Sequence, residues 1–171
     1  MPGLLIKNIV RFILLILMQV LVFNHINLGG YLNPSIYVLF ILLLPNDIKP
    51  SLLLIVGFFT GFTVDFFTNT PGLHAAATVL LAFFRPGIIR LFFGSLEFGP
   101  GESPGLNKLG VTGFFRYALV LIFIHHLALF LLEALSLSHI LFTLFRTLLS
   151  TVLSCLVVLI LVLLTTARKK R

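Results

Sequence analysis

Three charged side chains inside long apolar stretches are the residues of this chain that could pair with each other or bind a ligand. Asp65 and Glu133 each lie near the outer end of a predicted membrane helix, and Arg146 lies a few turns in from the outer end of another. A charge at the centre of such a helix costs about 2.5–3.5 kcal/mol on insertion scales, and an opposite charge offsets much of that cost. We therefore expect Arg146 to form an interior ion pair with Asp65 or Glu133. The alternatives are snorkelling of each group to the headgroups, and a transported-ion or ligand site.

The other polar residues form no catalytic or metal-binding pattern. His125 and His126 are adjacent, so their side chains point about 100° apart on a helix and make a poor metal pair. The sequence has no His-x-x-x-His, Cys-x-x-Cys or carboxylate cluster, no nucleophile–base arrangement and no phosphate-binding loop. Its one cysteine, Cys155, cannot form an intrachain disulfide. We expect no enzyme activity, no metal and no cofactor.

The elements that position these residues must lie in lipid. The chain is 59% apolar and only 10% charged, whereas soluble domains are about 25% charged. Its mean hydropathy is +1.17. The apolar runs do not alternate with polar residues, which disfavours a β-barrel. The basic residues are scattered between these runs, which argues against nucleic-acid binding despite the net charge of +7. The fold class predicted is an all-α integral membrane protein.

Six membrane helices are predicted in one polytopic domain over residues 1–171. Gly and Pro clusters mark the turns between them. No small-residue cleavage site follows the first helix, which favours a retained helix over a signal peptide. The second helix is short for a hydrocarbon core of about 30 Å. The helices cover about residues 4–26, 35–44, 51–67, 73–93, 112–135 and 137–167, with a cytoplasmic loop over 94–111.

The distribution of basic residues predicts the orientation. If six helices alternate, every Lys and Arg except Arg146 falls on one side of the membrane. The positive-inside rule then places both chain ends and the long loop in the cytoplasm. The basic residues 168–171 are interpreted as a stop-transfer anchor that binds anionic lipid headgroups, rather than as a protein-binding tail.

Two helix faces are predicted to pack against neighbours. Gly57, Gly61 and Asp65 recur every four residues, so they share one face, and the two glycines permit close approach of the Ala-rich start of helix four. A polar stripe on helix six also follows helical spacing. This stripe consists of His139, Thr143, Arg146, Thr147, Ser150 and Ser154.

Residues 57–91, GFFTGFTVDFFTNTPGLHAAATVLLAFFRPGIIRL, resemble the MreD family of bacterial rod-shape-determining proteins. The resemblance rests on the two glycines, on Asp65 at the end of the same helix, and on a Gly-Leu turn into an Ala-rich helix. Chain length, helix count and the basic carboxyl end also fit that family. The loop over residues 94–111, which contains Glu97 and Glu102, has no place in the family pattern.

The resemblance implies a non-enzymatic subunit of the cell-elongation machinery that lies in the inner membrane. Its implied partners are the membrane-anchored protein MreC and, indirectly, the MreB filament, the glycosyltransferase RodA and a penicillin-binding transpeptidase. The fold implied is similar to the six-helix membrane subunits of energy-coupling-factor transporters. A small-solute-binding subunit of such a vitamin-type transporter is therefore the alternative function. The residues implied for helix packing or partner binding are Gly57, Gly61, Asp65, Pro71, Gly72 and His74.

Overall fold

The chain folds into a bundle of long α-helices around one short central helix. The computed structural model describes residues 2–26, 32, 34–135 and 139–167. A 3-10 turn, Phe23–His25, follows the first helix. The α-helices are α1 (Pro2–Leu21), α2 (Val38–Leu42), α3 (Pro50–Thr68), α4 (Leu73–Phe93), α5 (Leu106–Ala134) and α6 (Ile140–Ala167).

Five of these helices, all except α2, are long and apolar enough to cross a membrane. Their outward faces expose large apolar side chains, such as Phe66 at 76% and Leu141 at 80%. Water would solvate such a surface poorly, and lipid solvates it well. The chain is therefore an all-α multi-pass membrane protein, in agreement with its composition.

Most predicted helix boundaries agree with the structure within a few residues, but α5 begins earlier than expected. It starts at Leu106 instead of residue 112, and it bends at Gly110, whose φ of +66° is non-helical. Residues 106–109 are thus helical, although the sequence predicted a loop over them. Glycine adopts positive φ at little cost, so Gly110 suits this bend. The predicted residues 137, 138 and 168–171 lie outside the described residues.

The helix predicted over residues 35–44 is shorter in the structure. Only Val38–Leu42 are α-helical, yet Ile36, Tyr37, Val38, Ile41 and Leu42 are each 0% exposed. Residues 34–45, which we call the central segment, run through the middle of the bundle. Non-helical backbone is tolerated at membrane depth where protein surrounds it and satisfies its hydrogen bonds. Hydropathy detects the burial of this segment, but it does not detect the partners that replace the helix's own bonds.

The central segment is antiparallel to α1 and connects the two ends of the bundle. Gln19, late in α1, bonds to the start of the segment at Pro34, while Arg11, early in α1, bonds to its end at Leu43. We call one end of the bundle the terminal end. There, a single cavity is lined by Lys7, Arg11 and Thr165. The other, where α3 turns into α4, is called the turn end.

Candidate functional site

Asp65, at the carboxyl end of α3, caps the amino end of α4. Its side chain is buried, and its carboxylate accepts from the backbone N–H groups of His74 at 3.0 Å and Ala75 at 2.9 Å. It also accepts from the Thr70 hydroxyl at 2.6 Å and lies 3.0 Å from His74 Nδ1. The residue at the N-cap position, Gly72, has no side chain to do this. An anion at a helix amino end satisfies unpaired donors and complements the helix dipole.

Two glycines let α3 approach α4 closely enough for this cap. A Cβ on Gly61 would lie 2.3 Å from the His74 carbonyl oxygen and 2.5 Å from Ala75 Cα, so only glycine fits there. A Cβ on Gly57 would lie 3.0 Å from Ala82 Cβ, a tight contact. Gly57, Gly61 and Asp65 therefore act together as the contact face of one helical hairpin, which we call the α3–α4 hairpin.

A chain of hydrogen bonds continues from this hairpin into the bundle core. Thr78 Oγ1 donates to the His74 carbonyl at 2.7 Å and lies 3.2 Å from the Tyr37 hydroxyl, which lies 2.6 Å from His125 Nε2. Because the Thr78 proton is used, Tyr37 donates to Thr78 and His125 Nε2 donates to Tyr37. His125 Nδ1 is then an unpaired buried acceptor within the described part of the chain, which costs less than an unpaired donor.

Acceptors from α1 and α6 satisfy the backbone N–H groups at the start of the central segment. Gln19 Oε1 accepts from Ile36 N at 2.8 Å, and Ser154 Oγ accepts from Ser35 N at 2.9 Å. Ser154 also contacts His126 Nε2 at 3.4 Å, while His126 Nδ1 donates to its own helix at the Ile122 carbonyl, 3.0 Å away. These contacts replace the helical bonds that residues 35 and 36 do not make.

Donors from α4 and α5 satisfy the carbonyl groups at the other end of the central segment. Arg85 is 1% exposed; it donates to the Leu44 carbonyl and, at 3.0 Å, to the Tyr117 hydroxyl. Tyr117 in turn donates to the Leu42 carbonyl at 3.0 Å. This cation is therefore buried at the carboxyl end of α2. A cation is favoured there by the helix dipole.

Of the two carboxylates open to Arg146, the structure pairs it with Glu133. Arg146 Nη1 lies 2.9 Å from Glu133 Oε2, and its guanidinium lies 4.1 Å from the centre of the Phe130 ring. The Glu133 side chain is 46% exposed, so the pair lies at the edge of the bundle rather than in its interior. Asp65 is not its partner, because the Asp65 oxygens are occupied by the α4 cap.

The polar stripe of α6 faces the bundle over most of its length. Thr143, Thr147, Ser150 and Ser154 are buried, while His139 at the start of α6 is exposed. Thr147 donates to the Thr143 carbonyl at 2.8 Å within the helix. The stripe therefore packs α6 against its neighbours.

A polar cavity of about 420 Å³ opens at the turn end of the bundle. Its polar lining includes Gln19, Asn24, Thr70, His74 and Glu133. It therefore brings together two of the candidate residues, His74 and Glu133, while Pro71 lies exposed in the nearby α3–α4 turn. Among the residues that the structure describes, no group of three or more His, Cys, Asp or Glu could hold a metal ion.

Sequence reasoning missed four residues that organise the core: Gln19, Tyr37, Arg85 and Tyr117. Gln19 is a polar residue inside a predicted apolar helix, and Arg85 lies in the middle of the predicted helix 73–93. A polar residue at either position indicates a buried polar contact, because polar groups at membrane depth need a partner. The two tyrosines carry no comparable signal, because an apolar ring with a polar tip suits many places in a membrane protein.

Known proteins give no further assignment, since no family model, curated protein or solved structure matches the chain. The MreD resemblance rests on residues 57–91. Within that range, Gly57, Gly61 and Asp65 are the residues that join α3 to α4. The resembling segment is therefore one structural unit, the α3–α4 hairpin.

Proposed function

We propose that this protein is a non-enzymatic scaffold subunit of the bacterial cell-elongation machinery, of the MreD type. It lies in the inner membrane with both ends in the cytoplasm and binds an MreC-type membrane-anchored protein. Through that partner it helps to position an MreB filament, a RodA-type glycosyltransferase and a penicillin-binding transpeptidase for peptidoglycan synthesis. The observation that carries the proposal is the α3–α4 hairpin, because every residue on which the resemblance rests belongs to it.

The use of the buried polar groups supports a scaffold. Asp65 caps a helix, Arg85 and Gln19 hold the central segment, and Tyr37 joins that segment to α4 and α5. Each bond joins elements that are distant in the chain, so the network rigidifies the bundle. A scaffold needs such a fixed outer surface, whereas an enzyme needs a reactive atom presented to a substrate.

The outer face of the α3–α4 hairpin offers a groove for a partner helix. It has a volume of about 640 Å³, and its lining includes Gly72, Ala76, Phe58, Phe62 and Phe83. Small residues let the backbones of membrane helices approach closely, and aromatic walls add contact area. We therefore place the membrane anchor of the MreC-type partner in this groove.

Depletion of the protein, in a host that normally grows as rods, tests the proposal. We expect depleted cells to lose rod shape, because the synthesis proteins are no longer held together. The wild-type gene should restore rods and allow an MreC-type protein to co-purify. Ala76→Trp should fill part of the groove, accumulate normally in the membrane, and fail in both assays.

The matched control is Leu156→Trp, which adds the same side chain at a half-exposed position on α6. It should behave as wild type, because α6 does not line the groove. Depleted cells that stay rod-shaped would refute the proposed function. Normal capture of the partner by Ala76→Trp would leave the function standing and refute the groove as its docking site.

A small-solute-binding subunit is the second candidate, and the polar cavity at the turn end favours it. A volume of about 420 Å³ and several convergent polar side chains meet the usual requirements of a ligand site. A small molecule that stays with the purified protein and is released on unfolding would favour this candidate over the scaffold.

A further inference from the structure

An apolar groove lies between α3 and α4 at the terminal end of the bundle. It has a volume of about 410 Å³, and Arg90 is the one charged residue among the described residues that line it. We call it the terminal groove. It shares Leu54 and Phe83 with the groove proposed for the MreC-type partner, but its other lining residues, such as Pro50 and Gly87, are different. The terminal groove is therefore an adjacent surface that needs an occupant of its own.

The positive charge of Arg90 is not neutralised by a carboxylate of this chain. Arg90 is exposed in the last turn of α4, and its Nε lies 3.5 Å from the Pro86 carbonyl oxygen, which is a neutral acceptor. All five acidic side chains of the sequence lie within the described residues, and none of them forms an ion pair with Arg90. The guanidinium therefore keeps its charge and has N–H groups for a further acceptor.

The amino end of α3 adds partial positive charge at the same end of the groove. Helix α3 begins at Pro50, which lines the groove, and its N-cap residue, Lys49, makes no side-chain hydrogen bond to the helix. The first N–H groups of a helix have no partner within the helix and carry the positive end of its dipole. A guanidinium together with this helix end favours an anion with several oxygens, such as a phosphate group.

We propose that the terminal groove binds an anionic phospholipid, with its phosphate at Arg90 and one acyl chain along the apolar lining. The two parts of the groove match the two parts of this lipid. A free phosphate ion would leave the apolar lining uncovered, and a lipid without net charge would not neutralise the guanidinium. Basic sites between membrane helices are suited to anionic headgroups at the cytoplasmic surface, where we expect the terminal end to lie. The inference is independent of the scaffold function.

Native mass spectrometry of the full chain, in detergent with added phosphatidylglycerol or phosphatidylcholine, tests the headgroup site. We expect the wild type to retain phosphatidylglycerol in preference to phosphatidylcholine. Arg90→Gln should weaken the binding of phosphatidylglycerol at least about tenfold and remove this preference, because a charge-assisted contact is lost. Arg116→Gln is the matched control, since it removes an exposed positive charge on α5 that does not line the groove. It should retain phosphatidylglycerol as the wild type does.

Gly87→Trp tests the acyl-chain site in the same experiment. Nothing lies within 4 Å of a Cβ at this groove position, so the new side chain can fill the groove while the fold and Arg90 are kept. It should weaken the binding of phosphatidylglycerol at least about tenfold. Gly3→Trp is its control, because a Cβ on Gly3 in α1 also has nothing within 4 Å.

The MreC-type partner should still co-purify with Gly87→Trp, because Gly87 does not line the partner's groove. Loss of the partner from this variant, with phosphatidylglycerol still bound, would show that the partner occupies the terminal groove instead. The proposal is also overturned if the wild type does not prefer phosphatidylglycerol, or if either groove variant retains it as well as its control does.

Discussion

At the scale of single residues, the buried charges of this protein act on backbone rather than on one another. Asp65 binds two backbone N–H groups at the start of α4, and Arg85 binds carbonyl groups at the end of α2. Each charge lies at the helix end whose dipole has the opposite sign. Only Arg146, at the edge of the bundle, pairs with a carboxylate among the three residues singled out in the sequence.

Asp65→Ala should destabilise the protein by about 2 kcal/mol or more, because it removes a helix cap and leaves buried donors unpaired. Unfolding in detergent, followed by circular dichroism, measures the change. Glu97→Ala is the control, since it removes an exposed acidic side chain and should change stability little. Equal stability of the two variants would contradict the capping role of Asp65.

At the scale of elements, two units carry the architecture. In the α3–α4 hairpin, close packing depends on the missing side chain of Gly61, which faces the backbone of His74 and Ala75. In the central segment, a helix of five residues persists because side chains from α1, α4, α5 and α6 satisfy both of its ends. The hairpin is built from local contacts, and the central segment from distant ones.

Gly61→Ala should destabilise the protein by about 1–3 kcal/mol or more, because the new methyl group would overlap backbone atoms that cannot move freely. Gly87→Ala is the matched control, since nothing lies within 4 Å of a Cβ at that helical position. The control should be neutral or stabilising by about 0.5–1 kcal/mol, because alanine favours helix. Thermal unfolding of both variants in the same detergent gives the comparison. A Gly61→Ala variant as stable as Gly87→Ala would show that the hairpin tolerates a wider spacing.

At the scale of the whole molecule, the membrane topology that we expect depends on the central segment. Five helices can cross a membrane, and five crossings would leave the two chain ends on opposite sides. The structure places the start of α1 and the end of α6 around one cavity, because the central segment runs between the ends of the bundle. The expected topology therefore has six crossings, one of them through protein instead of lipid.

Single-cysteine labelling tests this topology in a Cys155→Ser background. We expect Gly3→Cys and Gly99→Cys to react with an impermeant reagent from one side of the membrane, and Asn24→Cys and Pro71→Cys from the other. A Cβ at residue 3 has nothing within 4 Å, and one at residue 99 approaches only Glu102 at 3.8 Å, so both sites accept a side chain. Labelling of residues 3 and 99 from opposite sides would show that the central segment does not cross the membrane.

The sequence by itself determined that this protein lies in lipid, and it determined where most of its helices lie. Hydropathy and turn residues are local properties, so α3, α4 and α6 were predicted within a few residues, and the close contact of Gly57 and Gly61 with α4 followed from their spacing. The tertiary structure alone decided that Glu133 pairs with Arg146, that Asp65 caps α4, that Arg85 is buried, and that residues 34–45 are mostly not helical. Each of these depends on which distant side chains meet, because a buried polar group takes the partner that packing brings to it.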